Sequence, residues 1–132
     1  MLKSSLLNPD LLALFARFRH TNYLVICDLG FPYWPDVPTI DISLTSDIPT
    51  VRDVLRATEG RLQVGNTWMA EEFLAHHDDR GPGIAAEYQS LLNGLTVTYE
   101  PHEDFKRRVP RSIGIIRTGD STAYGNIILE SA

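Results

Sequence analysis

Residues 17 to 32 read RFRHTNYLVICDLGFP, and their centre is an uninterrupted apolar run, YLVIC. Apolar residues at successive positions are typical of a strand that is buried on both faces, as in a sheet covered by helices. His20 precedes this run and Asp28 follows it directly. We therefore predict a buried strand over residues 23 to 28, with one ionisable side chain at each end.

The rest of the chain alternates between helical and strand patterns. Helices are predicted over residues 9–19, 51–62, 84–93 and 101–108, and further strands over residues 39–43, 67–73, 95–99, 112–117 and 125–130. Strands that alternate with helices indicate an α/β domain. The short connection between the last two strands favours a mixed sheet. We predict a single domain over residues 1–132, with three α/β/α layers around a mostly parallel, mixed central sheet.

The composition of the chain argues against several classes of partner and location. The chain has 132 residues, a formal net charge of -5 and one cysteine, Cys27. An acidic chain with scattered cations argues against nucleic acid or an anionic membrane surface as the main partner. The N-terminus lacks a long apolar segment, and no run approaches the ~18 apolar residues of a membrane span. We expect a cytoplasmic protein whose single cysteine is a small buried hydrophobe.

The segment HHDDRGPG, residues 76–83, raises the question of a metal site, because His and Asp are common metal ligands. Adjacent side chains diverge, however, and Gly-Pro-Gly is typical of a turn. We expect a solvated loop here and no metal.

Four places carry chemically capable groups next to strand ends: His20, Asp28, His102 and the triplet Tyr124-Gly125-Asn126. In α/β sheets, ligands bind beyond the carboxyl ends of strands, so several of these groups could meet at one edge. Each also has a structural alternative. A histidine after a helix can complement the helix dipole, an aspartate can form a turn, His102 can be a surface residue, and Tyr124 and Asn126 can be turn and capping residues.

His20 and Asp28 lie eight residues apart. At ~3.3 Å per residue, an extended segment of that length spans up to roughly 26 Å. Within one subunit these two side chains therefore should not contact the same small molecule. They could share a site only if it lies between subunits, with the histidine from one copy and the aspartate from its neighbour.

Five segments, in order along the chain, resemble the D-ribose pyranase and L-fucose mutarotase family. They are LLNPDLLALFARFRH, VICDLGFP, IDISLTSDIPTVRDVL, YEPHEDFK and IIRTGDSTAYGNIIL, and residues 60 to 93 are the least similar part. The resemblance implies a cytoplasmic, cofactor-free sugar isomerase of α/β fold. It also implies a homodecamer of stacked rings, with a monosaccharide bound near the contacts between subunits.

The resemblance also implies roles for individual residues. His20 would be the catalytic acid/base, and Asp28, His102, Tyr124, Gly125 and Asn126 would bind the sugar, with Gly125 contributing backbone. Phe31 or Trp34 could stack on the sugar, although packing at a subunit contact is the preferred interpretation.

Three functions remain open from the sequence. The leading hypothesis is interconversion of the pyranose and furanose forms of D-ribose. The second is a mutarotase for L-fucose or another monosaccharide, because Tyr-Gly-Asn is closer to the fucose branch while IDISLTSDIPTVRDVL is closer to the ribose branch. The third is a sugar-binding subunit without turnover.

Overall fold

One six-stranded sheet organises the chain. The computed structural model describes residues 1–77 and 79–132. The strands lie in the order β2-β5-β1-β6-β3-β4. Their bounds are Tyr23–Cys27 (β1), Thr39–Asp41 (β2), Val64–Ala70 (β3), Val97–Glu100 (β4), Ser112–Arg117 (β5) and Ile127–Ser131 (β6). Among the described residues, the α-helices are Pro9–Ala16 (α1), which precedes β1, Val51–Thr58 (α2), Glu72–His76 (α3), Gly81–Leu91 (α4) and His102–Arg108 (α5).

The central strand is the one that the sequence predicts. Every residue of β1 is buried, and β1 pairs in parallel with β5 on one side and antiparallel with β6 on the other. Strand β6 also pairs antiparallel with β3. A parallel return to the sheet needs a crossover of about a dozen residues or more. The connection from Arg117 to Ile127 is shorter, so β6 runs opposite to the other strands. The predicted mixed α/β sheet is confirmed.

Apolar side chains cover both faces of this sheet. Alternate residues of β1 point to opposite faces, so Leu24 and Ile26 belong to one buried cluster while Val25 and Cys27 belong to the other. The first cluster takes side chains from α1, α2, α3 and α4, and the second takes Phe105 of α5 together with Phe31 and Val37 of the loop after β1. Within the described ranges, no helix is long and apolar enough to cross a membrane.

The segment at residues 76–83 differs from the prediction of a solvated loop. His76 ends α3, His77 is buried, and α4 begins at Gly81. Proline is tolerated in the first turn of a helix because the N–H that it lacks has no helical partner there. Gly81 packs closely on the chain, since an added Cβ would lie 3.2 Å from the Cβ of His77. Asp78 belongs to this segment and lies outside the described residues.

Other predicted boundaries shift by a few residues. Strand β3 begins and ends three residues before the predicted range, and α1 ends at Ala16 rather than residue 19. Helix α2 starts at Val51, as predicted, behind Thr50, whose side chain forms a capping box with Asp53. It ends at Thr58 rather than residue 62. The final strand begins at Ile127, which leaves the Tyr124-Gly125-Asn126 triplet in the preceding turn.

We predict opposite effects on stability for two glycine-to-alanine variants. At Gly119, a Cβ would collide with Thr45 O and lie 2.8 Å from Ile48 O, both backbone atoms. Gly119→Ala should therefore lower the free energy of unfolding by roughly 1–3 kcal/mol, as overpacking does. Gly83 lies inside α4 with nothing within 4 Å, so Gly83→Ala should raise it by about 0.5–1 kcal/mol. Urea unfolding of both variants checks this, and an undiminished stability of Gly119→Ala would contradict the close approach.

Candidate active site

A cleft of about 370 Å³ lies at one edge of the sheet. Strands β1, β4 and β5 end at this edge, and the antiparallel β6 begins there. The side chains that line the cleft include Asp28, Phe31, His102, Asp120, Tyr124 and Asn126. The structure thus brings together four of the six residues that the sequence singles out.

The side chain of Asn126, which directly precedes β6, holds the backbone of Asp28. Its backbone N–H donates to Asn126 Oδ1 at 2.8 Å, and its own Oδ1 accepts from the Gly30 N–H at 3.0 Å. The second bond closes a local turn of the kind that aspartate favours. The predicted turn-forming role of Asp28 and its position in the cleft are therefore compatible, because one carboxylate oxygen shapes the loop.

The environment of Asp28 favours the protonated acid. Burial raises the pKa of this carboxyl above its ordinary value, and hydrogen bonds from Gly30 and Asn126 offset that effect only in part. The whole residue is 7% exposed. A carboxyl in such a place can accept hydrogen bonds from ligand hydroxyls when ionised and can donate one when protonated.

The turn before β6 places Tyr124 beside His102. The two rings lie edge to face, with centroids 5.2 Å apart. Tyr124 has a φ of 58°, in the left-handed region that residues with a Cβ rarely adopt. The Gly125 N–H donates to Thr122 O at 3.0 Å and closes the turn. An added Cβ on Gly125 would lie 2.8 Å from Thr122 O, so this position accepts only glycine without a shift of the backbone.

Gly125 is buried and is not among the residues that line the cleft. Its carbonyl accepts from the Tyr88 hydroxyl at 3.3 Å, and its N–H is occupied by Thr122. Both backbone groups thus have partners inside the protein. The structure gives Gly125 a part in shaping the turn that carries Tyr124 and Asn126.

His102 is the first residue of α5. Its backbone N–H donates to both carboxylate oxygens of Glu72, at 3.1 and 2.9 Å. The imidazole stacks on Phe105, with centroids 6.1 Å apart. Its Nδ1 is buried and has no hydrogen-bond partner in residues 1–77 and 79–132. A buried polar atom without a partner costs about 1–3 kcal/mol, so Nδ1 is an unsatisfied group in a residue that lines the cleft.

His20 lies away from this cleft. It is exposed in the turn before β1, whereas Asp28 follows the other end of the same strand. The five residues of β1 span ~16 Å at the usual rise, so the strand separates the two side chains. One copy of the chain therefore does not place the His20 imidazole among the cleft residues.

Two buried residues beside the turn before β6 were given no role in the site from the sequence. Asp120 is 2% exposed and accepts from the Val51 N–H and the Thr122 N–H, both at 2.9 Å. His77 lies 2.8 Å from Ala123 O through its Nε2. Asp120 falls inside the segment TGDSTA, where an aspartate between small residues is the signal that could have drawn attention to it.

The remaining candidates, Phe31, Trp34 and Cys27, pack against other side chains of the protein. Phe31 is buried edge-on to Phe105 at 6.2 Å, and Trp34 packs against the same cluster with its indole N–H buried and unpartnered among the described residues. Cys27 is fully buried, and burial raises its pKa to about 12, so it remains a thiol. Across residues 1–77 and 79–132, no three His, Cys, Asp or Glu side chains cluster as metal ligands do.

We predict that Asp28→Asn stabilises the fold at neutral pH. A carboxyl whose pKa is raised by folding contributes stability in its protonated form, and that contribution is lost as pH rises through the raised pKa. Asparagine keeps an oxygen for the Gly30 N–H and does not ionise. The variant should therefore gain stability over the wild type at pH 7 and lose that gain below about pH 4, near the ordinary carboxyl pKa.

Asp53→Asn is the control of opposite sign. Hydrogen bonds from Thr50 lower the pKa of Asp53, so its stabilising effect is present at neutral pH and is lost on acidification. Thermal unfolding of both variants between pH 3 and 8 checks the pair. A neutral-pH loss of stability in Asp28→Asn would contradict the burial argument.

The chain is similar to known proteins over its whole length. The sequence profile of the RbsD / FucU transport protein family matches residues 1–132. A D-ribose pyranase from Aliivibrio fischeri (strain MJ11) is 38% identical over 135 residues, which cover 99% of this chain and 97% of that protein. A D-ribose pyranase from Geobacillus kaustophilus is 36% identical over 131 residues, which cover 99% of this chain and 93% of that protein.

Two solved structures are also similar to the chain. Bacillus subtilis RbsD, complexed with D-ribose, matches with a TM-score of 0.89 and 30% identity, covering 100% of this chain and 98% of that one. The fucose mutarotase of Streptococcus pneumoniae, in complex with L-fucose, shares the fold with a TM-score of 0.78 at 23% identity, covering 95% and 92%. The resemblance that the five segments indicate is confirmed, and the chain belongs to the RbsD / FucU transport protein family.

Proposed function

We propose that this protein is a monosaccharide ring isomerase that interconverts the pyranose and furanose forms of D-ribose. The observation that carries this proposal is the cleft at which Asp28, His102, Tyr124 and Asn126 meet, in a chain whose relatives are named D-ribose pyranase. A small cleft lined by carboxyl, amide, imidazole and phenol groups suits a ligand that is covered with hydroxyls.

The reaction needs only proton transfer. Ring opening removes the proton of the anomeric hydroxyl and delivers a proton to the ring oxygen as the C–O bond breaks, which gives the open-chain aldehyde. Reclosure through a different hydroxyl gives the other ring size, and reclosure through the same hydroxyl can give the other anomer. A histidine has an ordinary pKa near ~6.5 and can both accept and donate protons near neutral pH.

The cleft residues would hold the sugar during these steps. Asp28 and Asn126 already share hydrogen bonds, so they present a fixed pair of groups to neighbouring sugar hydroxyls. His102 would contact a further hydroxyl or carry a second proton. Tyr124 offers a hydroxyl and a ring face, and its ring is oriented by the contact with His102.

We assign the catalytic acid/base to His20 of a neighbouring copy. The imidazole and the cleft lie at opposite ends of β1, so a complete site needs a second chain that brings its own His20 to this cleft. A contact that joins two different surfaces closes into a ring when the rotation between copies permits it. We propose the homodecamer of stacked rings that the family resemblance implies.

Exposed apolar side chains near the cleft support a contact with another copy. Leu29 lines the cleft and is 48% exposed, and Tyr33 in the same loop is 75% exposed. Leu44 and Ile48 are exposed on the neighbouring turn, which is attached to the cleft by the bond from Asp47 N–H to Gly119 O at 2.6 Å. Such patches mark interaction surfaces.

We also propose a cytoplasmic location, which agrees with a single, buried cysteine.

We predict that the protein accelerates ring-form exchange of D-ribose and that His20→Ala removes the effect. Positioned acid/base help contributes roughly 10²- to 10⁴-fold, so the enhancement should fall by a factor in that range. Saturation-transfer NMR on equilibrated D-ribose measures the pyranose–furanose exchange rate directly. Arg17→Ala is the matched control, because it removes another exposed group from the same region.

The outcome separates the three candidate functions. Enhancement by the wild type and not by His20→Ala supports the proposal. Enhancement with L-fucose alone favours the mutarotase hypothesis, and binding of D-ribose without faster exchange favours a sugar-binding subunit.

A mixing experiment tests whether two chains share each site. His20→Ala and Asp28→Asn should each be inactive as pure proteins. If they are dissociated, mixed in equal amounts and reassembled, about a quarter of the sites should combine an intact His20 with an intact Asp28 from the next copy in the ring. Exchange activity should therefore return to about a quarter of the wild-type value. A reassembled mixture that remains inactive would contradict the shared site.

A further inference from the structure

The turn of residues 122–126 is held by side chains that the proposed reaction does not use. The Thr122 N–H donates to Asp120 Oδ1 at 2.9 Å, and Gly125 O accepts from the Tyr88 hydroxyl at 3.3 Å. Between these two contacts, Ala123 O lies 2.8 Å from His77 Nε2. Three successive parts of the turn are thus attached to different elements of the fold.

His77 is the contact nearest to Tyr124. A carbonyl can only accept a hydrogen bond, so the Nε2 of His77 carries the proton and donates it to Ala123 O. The ring is buried, with the whole residue 7% exposed, and it packs against Phe73 at a centroid distance of 5.3 Å. Its hydrogen bond fixes the peptide group that directly precedes Tyr124.

Tyr124 needs such support because its backbone is unfavourable. At a φ of 58°, it is one of four non-glycine residues with positive φ in the described part of the chain. A left-handed conformation of a non-glycine residue costs about 1–3 kcal/mol and persists where surrounding contacts determine it. Without the His77 bond, the Ala123–Tyr124 peptide could rotate within the turn that the Gly125 N–H closes, and that rotation would carry the Tyr124 ring away from His102.

We infer that His77 is a positioning residue for the sugar-binding turn: its Nε2–H holds Ala123 O and so keeps Tyr124 in the left-handed conformation that sets its ring beside His102. This inference rests on the proposed function, in which Tyr124 and His102 contact the sugar. His77 itself does not line the cleft. It acts through the turn that carries Tyr124.

A purely packing role for His77 makes a different prediction. Its contacts with Phe73 and His76 could be kept by any side chain of similar size. If packing were its whole role, leucine would serve as well as glutamine. If the donated hydrogen bond is what matters, glutamine should replace histidine, because its terminal N–H can reach the position of Nε2, and leucine should fail.

The test compares His77→Gln with His77→Leu by saturation-transfer NMR of D-ribose. Losing one buried hydrogen bond should lower the catalytic efficiency of His77→Leu by about tenfold, while His77→Gln should stay within about twofold of the wild type. Equal efficiencies for the two variants would overturn the inference. Urea unfolding of both variants checks that each remains folded under the conditions of the assay.

Amide hydrogen exchange provides a readout that does not depend on activity. The Gly125 N–H closes the turn on Thr122 O. It should exchange faster in His77→Leu and at the wild-type rate in His77→Gln, while the Ile26 amide in β1 keeps its wild-type rate in both. Equal acceleration at Gly125 and Ile26, or none at Gly125, would overturn the inference.

The two readouts separate this inference from the proposed function. A wild type that enhances no ring-form exchange refutes the activity, and the Gly125 amide then decides the role of His77 on its own. A wild type that is active, with His77→Leu unchanged in both readouts, refutes the role of His77 and leaves the proposed function intact.

Discussion

The hydrogen bond from the Asp28 N–H to Asn126 Oδ1 joins two positions that are 98 residues apart. It forms because β6 runs antiparallel beside β1, so the start of the last strand meets the end of the central one. The positions of Asp28, Tyr124 and Asn126 in the cleft depend on that meeting. Without it, Asp28 would occupy an isolated turn, and Tyr124 and Asn126 would have no carboxyl beside them.

Strand β1 also separates two groups that the proposed reaction needs. Strand β1 brings Asp28 to the cleft at one end and leaves His20 in an exposed turn at the other. A fully buried strand cannot bend to bring its ends together, because its backbone is bonded on both sides. One chain therefore has a cleft at one end of β1 and the imidazole of His20 at the other. The proposed chemistry requires a second copy of the chain to bring a His20 to this cleft. In that proposal, oligomerisation is a condition of catalysis rather than an addition to it.

Much of this arrangement could be predicted from the sequence because it follows from local patterns. The apolar run of β1, the helical pattern of α1 and the polar groups after strands are all short-range signals. The roles of His77 and Asp120 could not be predicted this way. His77 reads as part of a polar loop, and only the packing of α3 and α4 onto the last turn shows that it is buried and bonded to residue 123. A hydrogen bond between two polar atoms that are far apart in the sequence leaves no periodic pattern from which it could be predicted.

A crystal structure of the assembled protein with D-ribose tests the central claim most directly. The account predicts sugar hydroxyls within hydrogen-bonding distance, about 2.6–3.2 Å, of Asp28 and Asn126, and an imidazole of His20 from a neighbouring copy at the same distance from the anomeric or ring oxygen. Ribose bound in this cleft with every His20 facing solvent would contradict the assignment of the acid/base. Ribose bound elsewhere would contradict the site itself.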